Sequence, residues 1–227
     1  MKINNFNNLL FSLLLLMSAS NYSQHSDVDH IYLNTTSLTS IDLTSKELIG
    51  NSYIEERFLI GSISNQETSC LIRYNAYRDE MEVELDNKPY YLPLSSYYSI
   101  TFKLSNKTYQ LLDFNEKKTT NKGFFVVQYI GTELSLFLKE KIKLYDEVPP
   151  KAGFSQYEPP KLGRVKDKLF IGYGDNTAIE LPNKKKDVLK LFSSKNSKIQ
   201  SYAKENKLGF KKEKDLIQIL KYYNSLK

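Results

Sequence analysis

The 227-residue sequence contains no tryptophan, one cysteine and two histidines. Because Cys70 has no partner, an intramolecular disulfide bond is excluded. A catalytic cysteine needs a nearby base, and His25 and His30 both lie in the polar N-terminal segment. Strand alternation places Cys70 on one face with Ile72 and Tyr74, so we predict a buried, unreactive thiol.

Long apolar runs are also missing. The longest, Leu9–Met17, is about half the length of a bilayer span and matches the core of a signal peptide. We therefore predict a signal peptide over residues 1–23, cut before Asn21 or Gln24, and no transmembrane segment. The signal peptide implies an exported protein, periplasmic or secreted. Since no cysteine lies near either cut, we expect that it is not a lipoprotein.

The charge is distributed unevenly along the chain, whose net charge is +6. Residues 161–227 contain 17 lysines and arginines against 7 acidic residues, whereas residues 1–160 contain 15 against 19. A basic section of this kind either solvates a helical face or contacts an anionic surface or acidic partner. Export argues against nucleic acid, so we predict no nucleic-acid partner.

Residues 53–146 alternate between apolar and polar side chains and predict about eight strands. The candidate strands are 57–64, 68–75, 79–85, 88–93, 98–104, 107–114, 123–130 and 133–145. The short connections leave no room for parallel crossovers. The predicted fold class is therefore α+β, with a curved antiparallel β-meander, barrel-like or two-layer, after an extended lead-in at 24–52.

The pattern breaks at four prolines, and we interpret residues 147–165 as a Pro-rich connector. Residues 166–227 then predict a β-hairpin followed by three short C-terminal helices with a basic surface. The tripeptide Gly172-Tyr173-Gly174 lacks the third glycine and the directly following helix of a phosphate loop. We therefore predict no cofactor.

Residues 74–84 hold the densest group of chemically functional side chains. Glu80, Glu82 and Glu84 share one face of a predicted strand and apolar residues occupy the other, which is typical of a solvated strand. A glycoside hydrolase needs two opposed carboxylates across a cleft, and one strand face does not supply them. We predict that the protein is not an enzyme, with a hydrolase that uses these sheet carboxylates as an alternative.

The segment from His25 to His30 offers two imidazoles and two carboxylates within six residues. Its spacing matches no structural zinc class. We therefore predict no metal site.

Adjacent tyrosines recur at Tyr90-Tyr91, Tyr97-Tyr98 and Tyr222-Tyr223. Neighbouring residues of a strand face opposite ways, so one ring packs while the other contacts water. The solvated rings are candidates for contact with a partner.

Two segments resemble a family of exported, β-rich proteins of Bacteroidota to which no activity is assigned. Residues 71–82 resemble its LRYN-x-Y-x-DE-x-E segment, and residues 195–223 resemble its C-terminal helices. The order of signal peptide, β body, proline break and basic helical tail also matches over nearly the whole mature chain. The resemblance implies an envelope or secreted location and brings no catalytic residues.

Together these features predict a non-enzymatic exported envelope protein, a periplasmic binding or assembly module that presents a β-sheet and a basic helical face to an envelope protein or an anionic envelope surface. The first alternative is a carrier of a small apolar ligand, held in a cavity inside the meander, and the hydrolase is the second. The oligomeric state stays open. The residues predicted to contact the partner are Lys184, Lys185, Lys186, Lys195, Lys198, Lys211, Lys212, Tyr90 and Tyr98.

Overall fold

The computed structural model describes residues 48–64, 66, 68–94, 97–116, 119–151 and 156–226. The predicted signal peptide with both cleavage sites, the two histidines and nearly all of the lead-in lie outside these residues. Among the described residues, no helix is both long enough and apolar enough to cross a membrane.

Twelve β-strands form in the described part of the chain. They are β1 (Leu59–Ile63), β2 (Ser69–Asn75), β3 (Glu80–Leu85), β4 (Lys88–Tyr91), β5 (Ser99–Phe102), β6 (Lys107–Glu116), β7 (Thr119–Tyr129), β8 (Leu134–Lys139), β9 (Ile142–Tyr145), β10 (Lys161–Arg164), β11 (Lys168–Tyr173) and β12 (Thr177–Glu180). Ten of them form one sheet, in the order β12-β11-β8-β7-β6-β5-β1-β2-β3-β4. Neighbours in this order pair antiparallel, which confirms the predicted α+β class and curved meander.

Strand β6 closes part of this sheet into a five-stranded barrel. Its first half, residues 107–110, pairs with β5, whereas Asp113 and Phe114 pair in parallel with Thr177 and Ala178 of β12. The series β6-β7-β8-β11-β12 therefore returns to its starting strand. The hairpin β11–β12 completes a barrel that the meander begins, and closure pairs β12, which would otherwise be a free edge of the sheet.

The predicted strand 133–145 is two strands in the structure, because the chain turns away from the barrel at Glu140 and Lys141. β8 stays in the barrel wall, while β9 leaves it and pairs with β10 in a separate two-stranded sheet. β10 lies at the end of the segment interpreted as the proline connector. The side chain of Glu140 is buried at this junction, in contacts described below.

Aromatic side chains fill the interior of the barrel. The buried cluster consists of Leu112, Phe125, Phe137, Phe170 and Ala178. The rings of Phe125 and Phe170 meet edge to face, with centroids 4.8 Å apart. Gly172 lies directly against the Phe137 ring, which a methyl group at this position would overlap.

Three α-helices follow the barrel in the described residues: α1 (Lys185–Lys190), α2 (Asn196–Glu205) and α3 (Glu213–Ser225), with a 3₁₀ turn at Ser193–Lys195. Their apolar sides pack on the outer faces of β8 and β11. The buried members of this cluster are Leu134, Leu136, Ile171, Val188, Phe192, Ile199, Ala203, Phe210, Leu216, Ile219, Leu220 and Tyr223. Short helices cannot bury their apolar stripes alone, and the barrel wall supplies the missing surface.

Asn224 attaches α3 to the turn between β7 and β8. Its Oδ1 accepts hydrogen bonds from the backbone N–H groups of Glu133 (2.7 Å) and Leu134 (3.1 Å). Its Nδ2 donates to the carbonyl oxygens of Leu134 and Leu220. A methyl group on the nearby Gly131 would overlap this amide, so the turn needs glycine at that position.

The end of α2 is a Schellman motif in which a lysine occupies the position that glycine usually takes. The Leu208 N–H donates to the Ala203 carbonyl at 2.8 Å and the Lys207 N–H donates to the Lys204 carbonyl at 3.3 Å. Lys207 itself has a φ of 53°. This left-handed conformation costs a non-glycine residue about 1 kcal/mol or more.

Replacing this lysine by glycine (Lys207→Gly) is expected to raise the free energy of unfolding by about 0.5 kcal/mol, since the greater freedom of glycine in the unfolded chain offsets part of the gain. Urea denaturation measures the change. The matched Lys204→Gly change, within the helix, is expected to destabilise by about 1 kcal/mol. A lower urea midpoint for Lys207→Gly would contradict the assignment.

Candidate functional site

Asp79, in the turn between β2 and β3, directs its carboxylate inward because its backbone is left-handed, with φ of 61°. One carboxylate oxygen, Oδ1, accepts hydrogen bonds from Tyr74 Oη at 2.7 Å and from the Phe124 N–H at 3.1 Å. The other, Oδ2, forms an ion pair with Lys139 Nζ at 2.5 Å. Burial, followed by the Asp79 carboxylate, raises the pKa of Tyr74, which keeps this phenol a donor.

Lys139 ends β8 and is only 8% exposed. Its ammonium also donates to the Phe124 carbonyl at 2.8 Å and lies 4.5 Å from the centroid of the Phe125 ring. Burial lowers the pKa of this lysine and the Asp79 carboxylate opposes the shift. A methyl group on Gly123 would overlap Asp79 Oδ2 and lie 2.7 Å from Lys139 Nζ. Strand β7 can therefore lie this close to the ion pair only because residue 123 is glycine.

Glu140, the next residue, is 4% exposed and forms a second network. Its carboxylate accepts from Lys107 Nζ (2.7 Å), Tyr109 Oη (2.5 Å) and Arg164 Nη2 (2.7 Å). Burial first, and then this carboxylate, raises the pKa of Tyr109. The network ties β6 and β10 to the point where the chain leaves the barrel.

Both networks border a pocket of about 510 Å³ at this end of the barrel. Phe114, Phe170 and Val165 supply apolar lining. The charged lining residues are Arg78, Asp79, Glu116, Lys122, Lys139, Glu140, Lys141, Lys143, Lys166, Lys168 and Glu180. Cations outnumber carboxylates in this set, so the pocket is basic.

The prediction that Glu82 faces water with Glu80 and Glu84 is wrong. Glu82 is 2% exposed, pairs with Arg73 Nε at 2.7 Å and accepts from Tyr53 Oη at 3.2 Å. Glu80 and Glu84 are half-buried. The segment before β1 covers this face of β3, and the guanidinium of Arg73 stacks 3.9 Å from the Tyr53 ring. Burial, followed by the Glu82 carboxylate, raises the pKa of Tyr53 to about 12.

Residues 71–82 supply several of these buried polar contacts. Arg73, Asn75 and Glu82 belong to one network, and Tyr74 and Asp79 belong to another. Strand alternation singled out these residues but predicted a solvated Glu82, and buried charges at Lys139 and Glu140 were not predicted. The available signal for Lys139 was its strand parity, which it shares with the buried Phe137.

The predicted partner-binding lysines divide into two groups. Lys185, Lys211 and Lys212 come together around an open pocket of about 330 Å³ with Phe210. Lys185 Nζ lies 5.3 Å from the centroid of that ring. Lys184 and Lys186 flank Lys185 and are exposed. We call Lys184, Lys185, Lys186, Lys211 and Lys212 the basic face.

Lys195 and Lys198 lie apart from this pocket. Lys195 is half-buried, pairs with Glu133 at 2.8 Å and donates to the Leu226 carbonyl at 2.8 Å. Its ammonium also lies 4.8 Å from the Tyr223 ring. These contacts hold the 3₁₀ turn against α3, while Lys198 is exposed on α2.

The predicted sheet tyrosines are both half-buried. Tyr90 lies on the edge strand β4. Tyr98 donates to the Pro93 carbonyl at 2.9 Å and its ring centroid lies 5.9 Å from that of Phe124, so it packs. Its neighbour Tyr97 is exposed, donates to Asp113 and lies against the Lys122 ammonium.

Cys70 lies on β2, half-buried, on the same face as the buried Ile72 and Tyr74. Burial raises the pKa of its thiol. A raised pKa reduces the thiolate fraction and therefore the reactivity of the side chain.

Comparisons with protein-family models, with curated proteins and with solved structures found no match. A function for this chain therefore rests on the chemistry of the residues described above.

Proposed function

We propose that this chain is a non-enzymatic exported binding module that attaches to an anionic surface of the cell envelope through its basic face. The observation that carries the proposal is the meeting of Lys185 with Lys211 and Lys212 around an open pocket. Lys185 opens α1, whereas Lys211 and Lys212 directly precede α3, so the fold brings together charges that are 26 residues apart or more in the sequence. Export rests on the signal-peptide pattern of residues 1–23.

The charge balance of the helical unit supports attraction to an anionic surface. Residues 182–227 contain 13 lysines and four acidic residues. Of the described lysines in this range, only Lys190, with Asp187, and Lys195, with Glu133, form ion pairs. The charges of most of these lysines are therefore not neutralised by an ion pair, and they attract anions within about 8 Å at physiological ionic strength.

The two alternative functions have less support. Phenylalanine and leucine side chains fill the barrel interior, where an apolar ligand would have to bind. Among the carboxylates, Asp79, Glu82 and Glu140 are each neutralised by a lysine or an arginine. Carboxylates held in ion pairs are poor proton donors. Glu80, whose pKa burial raises, and Glu84 belong to the same strand, which does not supply two carboxylates opposed across a cleft.

A charge-reversal variant tests the proposal directly. The triple variant Lys185→Glu/Lys211→Glu/Lys212→Glu is expected to weaken binding to vesicles of phosphatidylethanolamine and phosphatidylglycerol more than about a hundredfold, because each basic residue near an anionic surface contributes about 1 kcal/mol. Binding of the parent protein is expected to fall steeply as salt is added. Vesicle sedimentation at several salt concentrations measures both effects.

The matched control reverses three exposed lysines outside the helical unit, in the variant Lys88→Glu/Lys103→Glu/Lys161→Glu. The control has the same net charge as the test variant and is expected to bind within about threefold of the parent, since screening limits the effect of remote charges. Equal losses in both triple variants would mean that only net charge matters, and would remove the basic face as the binding surface. If the parent does not bind the vesicles at all but is retained on envelope proteins, the partner is a protein.

A further inference from the structure

We propose that the pocket at the end of the barrel is a separate site that binds a small organic anion with an apolar body. Its lining shares no residue with the pocket of the basic face. Its volume, about 510 Å³, lies within the range of pockets that enclose small-molecule ligands.

The charges of the lining favour an anionic ligand. Asp79 and Glu140 line the pocket, but both carboxylates already form ion pairs. Asp79 pairs with Lys139, and Glu140 pairs with Lys107 and Arg164. Glu116 and Glu180 are likewise paired, with Lys141 and Lys168. Among the described residues, Lys143 and Lys166 form no ion pair, and both are exposed at the pocket. An anion placed between them would gain attraction without displacing an existing carboxylate.

The apolar lining favours a ligand with a body rather than a bare inorganic ion. The Phe114 and Phe170 rings lie at the pocket with centroids 6.2 Å apart and perpendicular planes. Phe170 belongs to the filled barrel interior, so contacts with the other buried side chains of that cluster fix its position. An aromatic or aliphatic group on these rings removes apolar surface from water, while the charged group faces the lysines at the rim.

The first arm of the test compares two dyes that share one apolar body. Anilinonaphthalene sulfonate carries a negative charge, whereas phenylnaphthylamine is neutral, and both fluoresce more strongly in apolar surroundings. We expect saturable binding of the sulfonate by the full chain. Naphthyl phosphate is expected to displace it, and inorganic phosphate at the same concentration is not. Equal displacement by inorganic phosphate would overturn the role of the apolar lining.

The second arm changes the pocket. The Lys143→Glu/Lys166→Glu variant is expected to raise the dissociation constant of the sulfonate at least about tenfold and to change that of the neutral dye less than about twofold. The control Lys88→Glu/Lys103→Glu, with equal net charge at exposed residues outside both pockets, is expected to leave sulfonate binding unchanged. An unchanged constant in the pocket variant, or an equal change in the control, would overturn the proposal. Circular dichroism spectra that match the parent show that each variant is folded.

Discussion

The Asp79→Asn substitution is expected to lower the free energy of unfolding by about 3 kcal/mol, because it leaves the Lys139 ammonium buried without its counter-charge. Asparagine tolerates the left-handed backbone of this turn, and its amide oxygen can still accept from the Phe124 N–H. The substitution therefore removes the charge and keeps the geometry. In a domain of this size the loss corresponds to a fall in Tm of about 6–12 °C. Circular dichroism during urea and thermal unfolding measures this loss, since the chain has no tryptophan to report unfolding by fluorescence.

Glu116→Gln is the matched control, since it makes the same carboxylate-to-amide change in an exposed pair. Lys141 and Glu116 have side chains 42% and 50% exposed, and such pairs contribute about 0.5 kcal/mol. The double variant Asp79→Asn/Lys139→Met is expected to recover most of the loss, because methionine can pack beside the Phe125 ring without a charge. Equal effects of Asp79→Asn and Glu116→Gln would show that burial adds nothing to this pair.

The strands and turns of the meander could be predicted because their signals are local. The turns at Asp86-Asn87 and at Asn106 have positive φ angles, which asparagine and aspartate tolerate better than most residues. Closure of the barrel could not be predicted in the same way. It depends on the parallel pairing of Asp113 and Phe114 with residues far along the chain, and no local pattern encodes such a contact.

The buried charges were missed for a related reason. Alternation predicts which residues of β3 share a face, but it does not predict which face is buried. The face that carries Glu82 is buried by Tyr53 and Arg73, which come from other segments. Lys139 shares its face of β8 with the buried Phe137, but it was interpreted only as part of a strand. Helical periodicity in the sequence was sufficient to predict which sides of the helices are apolar. The approach of Lys185 to Lys211 could not be predicted, because it depends on how the helices pack against the barrel.

That packing makes the helices part of the same folding unit as the barrel. Ile219, on α3, is 0% exposed and lies in the cluster that joins the helices to β8 and β11. The Ile219→Ala substitution leaves a cavity at this contact and is expected to lower the free energy of unfolding by about 3 kcal/mol. Because the cluster is shared, we expect one unfolding transition, displaced as a whole, in both far-ultraviolet and tyrosine near-ultraviolet circular dichroism.

Gln218→Ala, one residue earlier and exposed, is the control and is expected to change the free energy of unfolding by less than about 0.5 kcal/mol. Two separated transitions in Ile219→Ala, with helical signal lost first and the tyrosine signal of the sheet retained, would mean that the helices fold as an independent unit. In that case the Asn224 hydrogen bonds to the β7–β8 turn would be too weak to couple the two parts. The basic face would then be carried by a separable helical unit, and its lysines would not be held in register with the barrel.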